Sequence, residues 1–205
     1  MKPLFNYINR YATTALSTAD FEIMKGYFIR KNLRKKQYFL EEKEVCKYFA
    51  FILKGAMRQY YIDEKGTEHI VNLFIEDWWA GDRESYVMLS PTIYNIDAWE
   101  DTEVLLITYE NSLKLAHQFP AFNELLRNLD ERNNIATQKR ITSYISCTAE
   151  KRYTDFISHH PDFIKRFPQH IIASYLGITK ETLSRIRNQL AQKYNFIYIL
   201  PLFLC

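Results

Sequence analysis

QHIIASYLGITKETLSRIRN, residues 169–188, is the stretch that decides how this chain is read. Its first half carries Ile172, Ala173 and Leu176 at helical spacing, and the small Ala173 lets a second helix approach closely. Gly177 follows, where a tight turn between two helices requires a positive φ. Ile178 anchors that turn and Thr179 caps the next helix. Beyond it Leu183, Ile186 and Leu190 recur at threes and fours and face a core. Glu181, Ser184, Arg185 and Asn188 share the opposite face, with Lys180 at the exposed start. The pattern predicts a helix-turn-helix. An ordinary helical hairpin with a solvated charged face has similar spacing; the glycine turn, the small residue and a local basic excess together favour the more specific reading.

The polar face suits base edges. Arginine offers a donor fork that matches guanine O6 and N7, and glutamate accepts from cytosine N4. Arg185 and Glu181 lie one helical turn apart, so neighbouring base pairs can be read together; Lys180 and Ser184 complete the expected readout set. Gln169, His170, Thr179, Thr182 and Arg187 are the candidates for phosphate contacts that set the docking register. The Glu181–Arg185 spacing also suits a surface salt bridge.

Working outward, charge supports a polyanion partner only locally. The 205 residues carry a net charge of +3, but 148–205 hold 8 Lys and Arg against 4 Asp and Glu, while 1–147 hold 19 against 20. Residues 76–103 are acidic: Glu76, Asp77, Asp82, Glu84, Asp97, Glu100, Asp101 and Glu103 face the single Arg83. With 47% apolar and 25% charged residues, and only 5 Gly and 6 Pro, a disordered or collagen-like chain is excluded. Cys46, Cys147 and Cys205 are far apart, which fits free thiols in a reducing compartment and gives no zinc or iron–sulfur spacing. His159-His160 is expected to end a helix rather than hold metal. No signal peptide is expected, and the apolar tail 194–205 (YNFIYILPLFLC) is shorter than the roughly 20 residues a bilayer span needs. A soluble cytoplasmic protein follows, and no nucleophile, metal or nucleotide-loop motif points to an enzyme.

Residues 3–30 read as short helices, with Ser17-Thr18-Ala19-Asp20 as a helix start. From about 37 to 108 short aromatic and β-branched runs alternate with turn signals: FAFILKG (49–55), MRQYYI (57–62), EHIVNLFI (68–75), IYNIDAW (93–99) and EVLLIT (103–108). Phe49–Leu53 is apolar throughout and is expected to be buried on both faces. Leu113 and Ala116 belong to a short helix ending near Phe119-Pro120. Phe122, Leu125, Leu126, Leu129, Ala136 and Ile145 then mark a long helix, which must lie along something: a second copy of itself, or its own strands. Thr148 caps a further helix carrying Tyr153, Phe156 and Ile157, which stops at His159-His160-Pro161. The expected units are 1–146, a sensor with a dimerisation helix at about 120–146, and 147–205, a DNA-binding unit.

ITKETLSRIRNQL (178–190) resembles the recognition helix of the Crp-Fnr family of bacterial transcription regulators, where a basic residue, Glu and Arg recur at the places of Lys180, Glu181 and Arg185. FILKGAMRQYYIDEKGTEHIVNLF (51–74) resembles two strands of that family's β-roll, WWAGDRESY (78–86) the start of its phosphate cassette, and NIDAWEDTEVLLI (95–107) the strands that close the roll. The resemblance implies an α+β fold: an N-terminal antiparallel, cyclic-nucleotide-binding-like β-roll, a long dimerisation helix and a C-terminal winged helix-turn-helix. It implies a homodimeric regulator on a near-palindromic double-stranded operator, with half-sites about 34 Å apart. RNA polymerase is a further expected partner.

Two departures from the family pattern matter. Cyclic-nucleotide-binding members hold the ribose with Gly-Glu and the phosphate with Arg followed by Ser or Thr; here Gly81-Asp82 and Thr92-Ile93 stand at those places. A charge-assisted phosphate contact contributes roughly 1.5–3 kcal/mol, so its loss costs on the order of tenfold to a hundredfold. The effector is therefore expected to be something other than cyclic AMP, in a pocket of Gly81, Asp82, Arg83, Tyr86, Thr92 and Asn95; no cofactor is indicated. The tail also lacks a hairpin turn for a wing. These departures leave an alternative: a ligand-binding or protein-interaction module whose helix-turn-helix is structural only.

Overall fold

The computed structural model describes residues 1–193 of the chain; the apolar tail, with Cys205 and the question of a wing, lies outside the described residues. Helices α1 (Lys2–Tyr11) and α2 (Thr18–Met24) open the chain. Pro3 stands in the first turn of α1, where its missing N–H costs no helical bond, and the Ser17 side chain accepts from Asp20 N to cap α2. Strands β1 (Ile29–Leu33), β2 (Tyr38–Leu40), β3 (Tyr48–Lys54), β4 (Met57–Ile62), β5 (Glu68–Phe74), β6 (Trp79–Ala80), β7 (Asn95–Ala98) and β8 (Thr102–Thr108) follow, with the short helix α3 (Arg83–Met88) between β6 and β7. They form two antiparallel sheets, ordered β1-β8-β3-β6 and β2-β7-β4-β5.

The expected helical stretch 3–30 is cut short, because Ile29–Leu33 pairs with Leu106–Thr102 of β8 as a strand. Four of its five residues are exposed, so this edge strand lacks the apolar alternation that marks a strand in sequence. Phe49–Leu53 is buried from both sides as expected: Ala50 and Ile52 point between the sheets, and Phe51 points out toward α1. Gly55 turns β3 into β4 at φ +104°, and a Cβ there would meet the Thr102 backbone at 2.7 Å.

Three apolar clusters follow from this geometry. The first lies between the sheets and includes Leu33, Ile52, Met57, Ile96 and Val104. The second covers the outer face of the β8–β3 sheet with α1, α2, α4 (Tyr109–Gln118) and the start of α5 (Pro120–Ser146). In α4 Leu115 is fully buried, whereas Leu113 is 50% exposed. The third covers the outer face of the other sheet: Tyr60, Ile70 and Leu73 pack with Phe163, Phe167, Ile171 and the core of the C-terminal helices. Those helices are α6 (Ala149–His159), α7 (Pro161–Arg166), α8 (Gln169–Tyr175) and α9 (Lys180–Lys193). Thr148 caps α6, accepting from Lys151 N at 3.2 Å.

The two faces of α5 behave differently. Phe122 and Leu125 are fully buried in the second cluster, so the N-terminal half packs on its own chain. Ile135, Ile141 and Ile145 are 53%, 53% and 81% exposed on the C-terminal half.

Glu124 of α5 ties down the loop between α1 and α2, accepting from Thr13 N at 2.7 Å and from the Thr13 and Thr14 hydroxyls at 2.6 Å each. Those hydroxyls, Thr13 first, hold its carboxyl down at about 2, below the ordinary 4.5. The folded value is the lower one, so the stabilisation is present above about 4.5 and lost as pH falls toward about 2. Denaturant midpoints across that range should fall less steeply for Glu124→Gln than for the wild type; equal acid slopes would contradict the assignment.

Candidate nucleic-acid interface

Helices α8 and α9 meet through a Schellman turn. Ile178 N donates to Ala173 O and Gly177 N to Ser174 O, both at 3.0 Å, so carbonyls left over at the end of α8 are satisfied. Gly177 sits at φ +64°, and a Cβ there would lie 3.0 Å from the Tyr144 ring of α5. Tyr144 also donates its hydroxyl to Tyr175 O, and Arg152 of α6 donates to Leu176 O and Cys147 O at 3.1 and 2.9 Å. The turn is thus held against the end of the long helix.

Thr179 caps α9, its hydroxyl accepting from Thr182 N at 3.1 Å. Ile172, Ala173 and Leu176 of the α8 segment and Leu183, Ile186 and Leu190 of α9 are buried together, as the spacing requires. Ile171, which the spacing did not single out, joins them. On the opposite side of α9 the four expected readout residues, Lys180, Glu181, Ser184 and Arg185, are all exposed and share one open depression with Asn188, Gln189 and Gln192. No ion pair joins Glu181 to Arg185 among the described residues, so the surface salt bridge that their spacing permits is not formed. The Glu181 carboxyl is held below its ordinary range by its own backbone N–H and then by the Thr179 hydroxyl, so it is ionised and acceptor-only.

The expected phosphate contacts are less uniform. His170 and Thr179 are exposed, Gln169 and Thr182 are half-buried, and Arg187 is half-buried beside Tyr153. His160 ends the preceding helix and stacks on Phe163 at 5.1 Å; burial holds its imidazole below the ordinary value, so it stays neutral at pH 7.

In the roll, the expected effector residues are only partly brought together. Asp82 is buried; it caps α3 by accepting from Glu84 N and accepts the Thr92 hydroxyl at 2.7 Å. The residues at the ribose and phosphate places therefore satisfy each other. Gly81 lies under Phe49, and Tyr86 is buried with its hydroxyl toward Ile107 O. Arg83 points away, pairing with Asp130 of α5 at 2.6 Å, and Asn95 accepts from Glu42 N instead of joining Asp82. Burial pushes the neighbouring Cys46 thiol up to about 11, which keeps it protonated.

Sequence spacing gave no sign of the residues that hold the helix-turn-helix on the roll. At a bulge in β5, Gln59 and Tyr60 face Asn72 and Ile70, so Val71 is left without a cross-strand partner and its carbonyl accepts from Arg140 of α5. Ser174 Oγ accepts from Ile70 N at 2.9 Å.

Residues 30–119 match the cyclic nucleotide-binding domain family. Among solved structures, FixK2 from Bradyrhizobium japonicum is 21% identical over 81% of this chain and 85% of its own, with a TM-score of 0.68. The catabolite activator protein of Thermus thermophilus is 19% identical over 93% and 87%, at 0.56. The c-di-GMP responsive global regulator CLP of Xanthomonas campestris is 11% identical over 86% and 93%, at 0.63. No curated protein sequence matches. These likenesses show the fold: a cyclic nucleotide-binding roll, a long helix and C-terminal helices. Among the described residues no helix is long and apolar enough to cross a membrane.

Gly177→Ala should lower stability by about 1–2 kcal/mol, from the left-handed backbone alone, with the Tyr144 ring forced aside. That corresponds to a drop of roughly 2–8 °C in the thermal midpoint. Unchanged melting would show that the turn is not under this constraint.

Proposed function

We propose that this chain is a homodimeric, sequence-specific DNA-binding transcription regulator of the Crp-Fnr type, acting in the cytoplasm under an effector other than cyclic AMP. The observation that carries this reading is the two-faced α9: Leu183, Ile186 and Leu190 seat it in the core, and Lys180, Glu181, Ser184 and Arg185 are left facing solvent. A sensor unit, 1–146, and a DNA-binding unit, 147–205, meet where α5 ends at Ser146 and Thr148 caps α6. The exposed Ile135, Ile141 and Ile145 supply an apolar stripe for a second copy of α5. Two recognition helices would then enter successive major grooves, which calls for a near-palindromic operator. The catabolite activator protein of Thermus thermophilus and the global regulator CLP share this fold, which supports a role in gene control rather than catalysis. RNA polymerase is a partner this role would bring.

Arg185→Ala should lose roughly 1–3 kcal/mol of discrimination at one base pair. Mobility shifts on a duplex selected by the wild type, with single-base variants and random competitor, measure this. Equal losses on selected and random DNA would contradict base readout.

The buried Asp82–Thr92 pair supports the exclusion of cyclic AMP. A cyclic phosphate would have to break that pair and settle beside a carboxylate, with Arg83 already held by Asp130. Calorimetric titration with cyclic AMP should give no heat of binding in the micromolar range; a micromolar affinity would overturn this part of the proposal.

A further inference from the structure

We propose that Arg166 is a positioning residue for DNA recognition: it latches the helix-turn-helix unit to the roll so that the readout face of α9 points outward. This rests on the DNA-binding reading above. Arg166 is the last residue of α7, and its guanidinium lies between two carboxylates from different turns of the roll. Its Nη1 and Nη2 donate to Glu76 at 3.1 and 3.2 Å, just past the end of β5. Its Nε and Nη2 donate to Glu100, in the turn between β7 and β8. Glu76 is itself fixed from behind, accepting from Gly55 N at 2.8 Å. The Arg166 carbonyl accepts from the Trp99 indole at 3.1 Å, so the residue is bonded to the roll through main chain and side chain alike.

The guanidinium fork lets Arg166 bridge two carboxylates at once. Lys151 and Lys165 form pairs within their own helices, with Asp155 and Asp162. Arg166 instead pairs with Glu100 and Glu76 of the roll, 66 and 90 residues away in sequence. With its three nitrogens engaged by carboxylates, it is committed to the roll and not to a phosphate. Without it, Glu76 and Glu100 would face a gap in which like charges are left uncompensated. The same docking leaves Lys180, Glu181, Ser184 and Arg185 exposed.

The test turns on a sign. Replacing Glu76 and Glu100 together by Ala removes two negative charges, so electrostatics alone would tighten DNA binding. The latch requires the opposite: weakening on the order of tenfold for a duplex selected by the wild type from random-sequence DNA, the equivalent of about 1.4 kcal/mol. Loss of docking is read separately by hydrogen exchange at the Ile70 amide, which Ser174 Oγ covers, and should appear as faster exchange. Arg166→Lys keeps the charge and loses the fork; it should show both effects to a smaller degree, and it stands in if the double variant does not fold. Unchanged Ile70 protection, or DNA affinity that holds or rises in the carboxylate variant, overturns the proposal. A wild type that selects no duplex at all overturns the DNA-binding reading itself, and this role with it.

Discussion

Tyr60, Ile70 and Leu73 on the outward face of β4 and β5 have to be kept from water, and the C-terminal helices do it. Phe163, Phe167 and Ile171 close over them, so the helix-turn-helix core and the outer face of the roll are one continuous apolar cluster. The direction in which α9 presents its polar side follows from that contact. Polar ties then fix the register: Ser174 covers the Ile70 amide at the open edge of the sheet, and Arg140 satisfies the Val71 carbonyl left over at the bulge. Both groups would otherwise be an unpaired edge, which sheets do not leave exposed without cost.

The same contacts define what a signal would have to move. Tyr144 lies against Gly177 and bonds Tyr175 O, so the C-terminal end of α5 touches the turn between α8 and α9. Arg83 links the cassette helix to Asp130 of the same α5, ten residues before Arg140 bonds the roll again. A shift of α5 along its axis would strain cassette, bulge and turn together. The long helix is therefore the common partner of the roll and the C-terminal helices, by contact rather than by sequence adjacency.

The match to the cyclic nucleotide-binding domain covers 30–119, and the strands form two four-stranded antiparallel sheets. Within it Asp82 and Thr92 bond each other in the interior. A buried carboxylate already paired with a hydroxyl neither attracts an anion nor needs one.

What the sequence determined by itself was local. Helical spacing, a capping threonine and a glycine turn placed α8 and α9, their buried residues and the exposed polar face of α9, because each signal lies within a turn or two of chain. The apolar run at Phe49–Leu53 likewise announced a strand buried on both sides. Tertiary structure alone decided the rest. β1 is polar because it is an edge, and only pairing with β8 makes it a strand. The apolar stripe of α5 divides into a half buried on its own chain and a half left exposed, a distinction that periodicity cannot make. Arg83, Arg140 and Arg166 look alike in sequence, three arginines among many. Their separate tasks come from partners 47 to 90 residues away that only the packed chain brings within hydrogen-bond reach.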